Sequence, residues 1–258
     1  MGKPPNKILG IDIGGSGIKG AIIDTDSGAL SSDRLRVDTP GEATPRNMGE
    51  AIATLVENFR WRGPIGCGFP GVVKAGVIHT SSNVDDSWQG VHFPDLLHEL
   101  TGCQAAVLND ADAAGLAEMR FGAGRDRSGT VIMITVGTGL GTAFFTDGRL
   151  WPNTEIGHVQ VDGVDAEEIA SDRARKTMGW KRRDWAGHLN RFLQELHRLL
   201  WPDLFIVGGG ASKKWDKFAD LLHPGAPVVP AHLLNHAGMI GAAVHAQQVV
   251  EAAASPPA

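Results

Sequence analysis

Asp12-Ile13-Gly14-Gly15-Ser16-Gly17-Ile18-Lys19 stands near the start of the chain, and Thr135-Val136-Gly137-Thr138-Gly139-Leu140-Gly141-Thr142 answers it near the middle. Each is a glycine cluster between two apolar, β-branched stretches. Clustered glycines let backbone N–H groups converge on an anion with no side chain in the way. In the first cluster Ser16 adds a hydrogen-bond donor, Lys19 a positive charge, and Asp12 a carboxylate suited to Mg²⁺, a hard cation that takes oxygen ligands. The first cluster is not a Walker motif, because it lacks Gly-Lys-Ser or Gly-Lys-Thr. It is not a dinucleotide fingerprint either, because a strand and not a helix follows it. One such turn is as well explained by a tight hairpin with an exposed aspartate. Two of them, one per half of the chain, can clamp the same phosphates from both sides.

Working outward, Ile8–Ile13 and Ile18–Asp24 read as strands, and a turn at Asp26-Ser27-Gly28 leads to a third near Leu30–Val37. This makes an antiparallel meander. A helix follows near Arg46–Arg60, with apolar spacing at Met48, Ile52, Leu55, Val56 and Phe59. Then come a strand at Ile65–Phe69, a short helix at Pro94–Leu100, a strand at Ala105–Leu108 and a helix at Asp110–Met119 capped by Asn109. The second half opens in the same way. Thr130–Val136, Ala143–Thr146 and Arg149–Trp151 form strands, residues 166–200 are mostly helical, and Leu204–Val207 runs into a third cluster, Gly208-Gly209-Gly210. Helices are expected at Lys214–Leu221 and Ala237–Val250. The organisation is a small lobe of residues 1–110, completed by the C-terminal helix within 237–258, and a large lobe of residues 111–236. Crossings are expected at Asp110–Gly115 and Leu234–Gly238.

Composition fits a globular α/β protein of 258 residues, with 42% hydrophobic and 21% charged residues. No apolar run nears the roughly 18 residues that span a bilayer, and the first residues lack signal-peptide architecture. A cytoplasmic protein with no membrane partner is expected. The net charge of −5 speaks against a nucleic-acid partner. Cys67 and Cys103, the only two cysteines, read as reduced and structural.

The two glycine turns, the third cluster, Gly68-Phe69-Pro70-Gly71, Leu108-Asn109-Asp110-Ala111 and Glu155-Ile156-Gly157-His158 occur in an order that resembles the ROK sugar kinases. The resemblance spans about residues 7–248 and is strongest to the branch of glucokinases that use polyphosphate. It implies a two-lobed ribonuclease H-like fold of the hexokinase–actin–Hsp70 superfamily, with a sugar cleft between the lobes, and a homodimer. It implies Asp110 as catalytic base. Sugar ligands by position are Asn109, Glu155, His158 and Glu167 (or its neighbour Glu168). Ser82 and Asn83, ahead of Trp88, resemble a segment that lines the sugar pocket, and Gly68 and Gly71 keep the backbone near the sugar. The donor would meet Asp12, Gly14, Gly15, Ser16 and Lys19, then Gly137, Thr138 and Gly139, then Gly208, Gly209 and Gly210. The chemistry agrees with this. A sugar hydroxyl needs a base to lose its proton during in-line attack on phosphorus, and a helix N-terminus keeps a carboxylate ionised. One departure is plain: Val159–Glu168 contains no cysteine where most of the family carries a zinc motif, so no zinc is expected.

Residues 171–184 are basic, with Arg173, Arg175, Lys176, Lys181, Arg182 and Arg183, and Lys213, Lys214 and Lys217 lie beyond the third cluster. Such a run is a solvated face or a track for a polyanion. Arg182 and Arg183 are the residues assigned to the donor. The expected activity makes glucose 6-phosphate from glucose and inorganic polyphosphate, and from ATP, with Mg²⁺. The alternative is a strictly ATP-dependent ROK hexokinase acting on glucose, mannose or an N-acetylated hexosamine. Sugar-responsive repressors of the family need a helix-turn-helix module, for which the seven residues before the first strand are too few. A silent sugar sensor fits poorly with an intact Asp110 and both turns.

Overall fold

The computed structural model describes residues 6–81 and 85–254. The chain divides into two compact units, one of residues 1–117 with 236–258 and one of residues 118–235.

In the first unit, β1 (Lys7–Gly14) pairs antiparallel with β2 (Gly17–Asp24), with Asp12 opposite Lys19 and Gly14 opposite Gly17. β3 (Leu35–Val37) adds to β2. It is shorter than expected, because the Ser32 hydroxyl takes the Ile22 N–H at 2.9 Å and leaves Leu30 only an isolated bridge to Ile23. Thr44 caps α1 (Pro45–Asn58), whose first residue is a proline, and the helix buries Met48, Ile52, Leu55 and Val56. β4 (Ile65–Phe69) runs parallel to β1. Next comes a hairpin of two-residue strands, β5 (Val73–Lys74) and β6 (Val77–Ile78), turning through Ala75 and Gly76 at positive φ. After α2 (Phe93–Thr101), β7 (Ala105–Asn109) lies parallel to β4 and passes directly into α3 (Asp110–Phe121). The sheet order is β3-β2-β1-β4-β7. The C-terminal helix, Ala237–Ala254, packs its backbone against this sheet. A Cβ on Gly10 or Gly66 would fall 2.0 Å from the carbonyl oxygen of Met239 or Ala242, so only glycine permits the approach. Cys67 and Cys103 are free and buried in this unit.

The second unit repeats the pattern. β8 (Thr130–Val136), β9 (Leu140–Thr146) and β10 (Arg149–Trp151) form an antiparallel meander. A helical turn at Ile156–His158 leads to a small hairpin, β11 (Gln160–Val161) and β12 (Val164–Asp165). Three helices follow: α4 (Ala166–Ala170), α5 (Asp172–Thr177) and α6 (Arg182–Leu200). β13 (Leu204–Gly208) runs parallel to β8, α7 (Gly209–Ser212) is a single turn, and β14 (Val228–Pro230) closes the sheet in the order β10-β9-β8-β13-β14. The echo between the two glycine turns is therefore an echo of whole sheets: three antiparallel strands, then two parallel ones.

Two expectations need correction. Lys214–Leu221 is not one helix but two short turns, Trp215–Lys217 and Ala219–Leu221. Phe218, between them, is fully buried and takes φ −151° and ψ −9°, away from the helical pair, which interrupts the helical ladder. The chain first passes between units at Ala117/Glu118, within α3 and after the expected Asp110–Gly115, because Ala113 packs with Leu108 and Ala242 of the first unit. The return, at Asn235/His236, falls inside Leu234–Gly238.

Candidate active site

The β1–β2 turn is braced by its neighbours. Thr39 Oγ1 donates to the Gly14 carbonyl at 2.6 Å, and the Arg36 guanidinium to the Ser16 carbonyl at 2.5 Å. Opposite one another across the ladder, Lys19 Nζ and Asp12 Oδ2 stand 3.3 Å apart. Asp12 also faces the first turn of the C-terminal helix: a Cβ on Gly238 would lie 2.8 Å from its Oδ1.

At the end of β7, Asn109 is buried and its side chain is well used. Oδ1 accepts from the N–H of Ala111 (2.8 Å) and of Asp112 (3.0 Å), and Nδ2 donates to the Gly71 carbonyl at 3.1 Å. It is thus the cap that the sequence suggested, tied to the Gly68–Gly71 segment. Asp110 opens α3, half-buried, with Oδ1 accepting from the Ala111 N–H at 2.8 Å. Gly68 lies alongside, where a Cβ would sit 3.5 Å from the Asp110 Cα. Gly71 has a packing reason of its own, because a Cβ there would be 2.2 Å from the Thr80 carbonyl oxygen. Ser82 and Asn83 lie outside the described residues. Trp88 is a core residue: it is fully buried, its ring centroid is 4.7 Å from those of Phe69 and Phe93, and its indole N–H donates to Ala43.

The second unit brings its candidate residues together at the β8–β9 turn. Glu167 Oε2 accepts from the Leu140 N–H at 3.0 Å, and Oε1 pairs with Arg173 at 2.9 Å. A Cβ on Gly139 would lie 2.3 Å from Oε2, so this glutamate is fitted against the turn. Glu168, its neighbour, is exposed. His158 Nδ1 lies 2.9 Å from Asp165 Oδ2, while Asp165 Oδ1 accepts from the Glu167 N–H at 2.8 Å and caps α4. The Asp165 hydrogen bond, and the charges of Asp165, Glu167 and Glu155, hold His158 above the usual imidazole range against the pull of burial. Burial pushes the Glu155 carboxyl up, and the Glu167 charge adds to this while His158 opposes it. Glu155, His158 and Glu167 therefore form one electrostatic cluster. Asp165, absent from the expected site residues, links His158 to the Glu167 N–H, while Arg173, expected only as part of the basic run, pairs with Glu167. The signal for Asp165 was present as a capping box, Asp165-Ala166-Glu167-Glu168.

The three glycine clusters divide internally. Gly209 has φ +74°, and a Cβ there would meet the Val136 carbonyl oxygen at 2.5 Å. A Cβ on Gly208 would meet Met133 Cε at 2.8 Å, and one on Gly14 the Gly17 carbonyl oxygen at 3.1 Å. Packing or backbone geometry bears on these. Gly15, Gly137 and Gly210 differ: none has positive φ, and a Cβ at each would find nothing within 4 Å. Each cluster thus keeps one glycine that the fold does not require. The Gly137 carbonyl accepts from the N–H of Asp172 (3.0 Å) and of Arg173 (3.3 Å), which seats α5 behind Thr138 and its flanking glycines. Of the two arginines assigned to the donor, Arg183 holds both Asp220 oxygens at 3.0 Å, and Arg182 approaches Asp172 at 3.9 Å. Among the described residues no three His, Cys, Asp or Glu side chains converge as a metal site, and no helix is long and apolar enough to cross a membrane.

Residues 8–179 match the model of the ROK family. The chain is 50% identical to the polyphosphate glucokinase of Mycobacterium tuberculosis over 237 residues, covering 92% of this chain and 89% of that protein. Its fold superposes on the crystal structure of an inorganic polyphosphate/ATP-glucomannokinase from Arthrobacter sp. with a TM-score of 0.91 and 45% identity, over 95% of this chain and all of that one. A ROK glucokinase from Streptomyces griseus, in complex with glucose and AMPPNP, gives a TM-score of 0.79 and 26% identity, over 94% of this chain and 99% of that one.

Proposed function

This chain belongs to the ROK family, with the α/β fold of the hexokinase–actin–Hsp70 superfamily, and we propose that it transfers a phosphoryl group from inorganic polyphosphate, and from ATP, to glucose, giving glucose 6-phosphate. The polyphosphate donor is supported by the whole-length similarity to polyphosphate glucokinases. The kinase chemistry is carried by one observation in this structure: Gly15, Gly137 and Gly210, one per glycine cluster, have no packing reason to be glycine. A backbone bare of side chains is what close approach to a phosphate chain requires.

Asp110 is assigned the role of general base. Its place at the first residue of α3 favours the ionised form, and the capping Asn109 beside it fixes the backbone from which it projects. Proton removal as the hydroxyl attacks phosphorus is worth about 10²–10⁴ in rate. Glu155, His158 and Glu167 are assigned to the sugar hydroxyls, where hydrogen bonds unmatched in an epimer cost about 1–3 kcal/mol each. Asn109, Gly68, Gly71, Ser82 and Asn83 are assigned to the sugar on the resemblance. Asp12 offers a single carboxylate, which suits a Mg²⁺ ion carried mainly by donor phosphates and water rather than caged by protein. When bound, the ion neutralises developing charge on the transferred group. No zinc, from the cysteine-free stretch Val159–Glu168, a cytoplasmic location, and a homodimer, which rests on the resemblance alone, belong to the same reading.

Mannose is a second candidate acceptor, favoured by the similarity to a glucomannokinase. The test is a donor-by-sugar matrix: polyphosphate and ATP against glucose, mannose and N-acetylmannosamine, with and without Mg²⁺. Turnover of glucose with polyphosphate, dependent on Mg²⁺, is expected. Turnover with ATP alone would leave the strictly ATP-dependent hexokinase.

A further inference from the structure

The basic run after the second glycine turn is not uniform. Arg173 is engaged by Glu167 and Arg183 by Asp220. Three of the others, Arg175, Lys176 and Arg182, converge on Asp172. Its Oδ1 holds Arg175 Nε at 2.7 Å, its Oδ2 holds Lys176 Nζ at 2.8 Å, and Arg182 Nη1 reaches to 3.9 Å from Oδ1. That Arg182 nitrogen is buried with no hydrogen-bond partner. The carboxylate is only 13% exposed, whereas Lys176 is 68% exposed. Through its backbone, Asp172 is also joined to the turn itself, donating to the Gly137 carbonyl at 3.0 Å. Burial would raise this carboxyl, but the hydrogen bonds and charges of Lys176 and Arg175 outweigh it and hold the group below the usual range. It is ionised at neutral pH.

Three cations packed at this spacing repel one another, and without an anion between them their side chains would spread into solvent. We propose that Asp172 is a positioning residue for the phosphoryl donor: it fastens Arg175, Lys176 and Arg182 as a set beside the second glycine turn, where a polyanionic chain leaving that turn meets them together. The proposal rests on the donor reading above and deepens it. It adds an anion, Asp172, to a basic run whose cations alone were read as the track.

Charge alone predicts the opposite sign. If Asp172 merely cancelled positive charge, removing it would strengthen polyanion binding. The experiment is therefore steady-state kinetics of the full chain at saturating glucose, for wild type, Asp172→Asn and Asp172→Glu, across a series of salt concentrations. For Asp172→Asn the polyphosphate KM is expected to rise about tenfold with kcat within about twofold, and the slope of log KM against log salt to shrink as phosphate contacts are lost. Asp172→Glu is expected to recover most of the loss. An unchanged or lowered polyphosphate KM in Asp172→Asn overturns the proposal, as does a fall in kcat alone for both donors. If Asp172→Asn does not fold, Lys176→Gln decides: a raised polyphosphate KM supports the set, and an unchanged one overturns it. Wild type with no polyphosphate turnover would defeat the donor reading by itself, and Asp172 is then judged by the same criteria on the ATP KM.

Discussion

The Glu167 carboxylate and the Leu140 amide are joined at 3.0 Å, so a residue assigned to the sugar also grips the second glycine turn. Glu167→Ala is expected to raise the donor KM as well as the glucose KM. A hydrogen bond to a charged group is worth about 1.5–3 kcal/mol, or roughly tenfold to a hundredfold. Glu167→Gln keeps an oxygen for Leu140 and is expected to raise the glucose KM with little change for the donor. Steady-state kinetics of both variants check this. A donor KM untouched in Glu167→Ala would show that the turn stands without this carboxylate.

His158 is raised by Asp165 and by the nearby charges of Glu167 and Glu155. A raised folded pKa favours the protonated, folded state, so the pair contributes stability below the unfolded value of about 6.5 and loses it as pH rises through the folded one. Asp165→Asn keeps an N-cap for α4 but removes the charge partner. The excess Tm of wild type over this variant is therefore expected to be largest near pH 6 and to shrink towards pH 8. Thermal melts across that range test it, and a constant difference would contradict it.

Gly209 and Gly210 are neighbours with opposite expectations. Gly209→Ala places a methyl against the Val136 carbonyl at positive φ, which costs on the order of 2 kcal/mol or more. Gly210→Ala meets no protein atom within 4 Å and is expected to shift stability by under about 0.5 kcal/mol while raising the donor KM. Unfolding curves and donor kinetics on the pair separate packing from function. Unchanged kinetics in Gly210→Ala would remove it from the donor site.

Glu118 is fully buried, and its carboxylate accepts from the amides of Ala123 (2.8 Å), His232 (3.1 Å) and Leu233 (2.7 Å), holding the segment just before the return between units. Glu118→Ala leaves buried donors unmatched and is expected to cost roughly 3 kcal/mol or more, read by urea unfolding. A loss below about 0.5 kcal/mol would show that water or relaxation replaces the carboxylate.

Much of this architecture was legible because its signals are local. The strands flanking Gly14–Gly17 and Gly137–Gly139 are β-branched and bounded by glycines, and Asn109 before Asp110 announces a helix start. The small β5–β6 and β11–β12 hairpins have two residues per strand, too few to show alternation. The Lys214–Leu221 segment has helical composition, but burial of Phe218, a tertiary demand, breaks it. Charges were visible in the basic run, and Asp172 stands within it at three- and four-residue spacing from Arg175 and Lys176. Asp220, by contrast, is brought beside Arg183 by the fold from 37 positions away. The same holds for Gly71, whose neighbour Thr80 is supplied by the hairpin between them.

The central claim is that Asp110 removes the proton from the accepting hydroxyl. Asp110→Asn preserves shape and can still accept from the Ala111 amide. Its kcat with glucose and saturating polyphosphate, set beside the glucose Kd from calorimetry, is the most direct measurement. The account predicts a loss of about 10²–10⁴ in kcat with glucose binding nearly unchanged. A kcat within tenfold of wild type would contradict it.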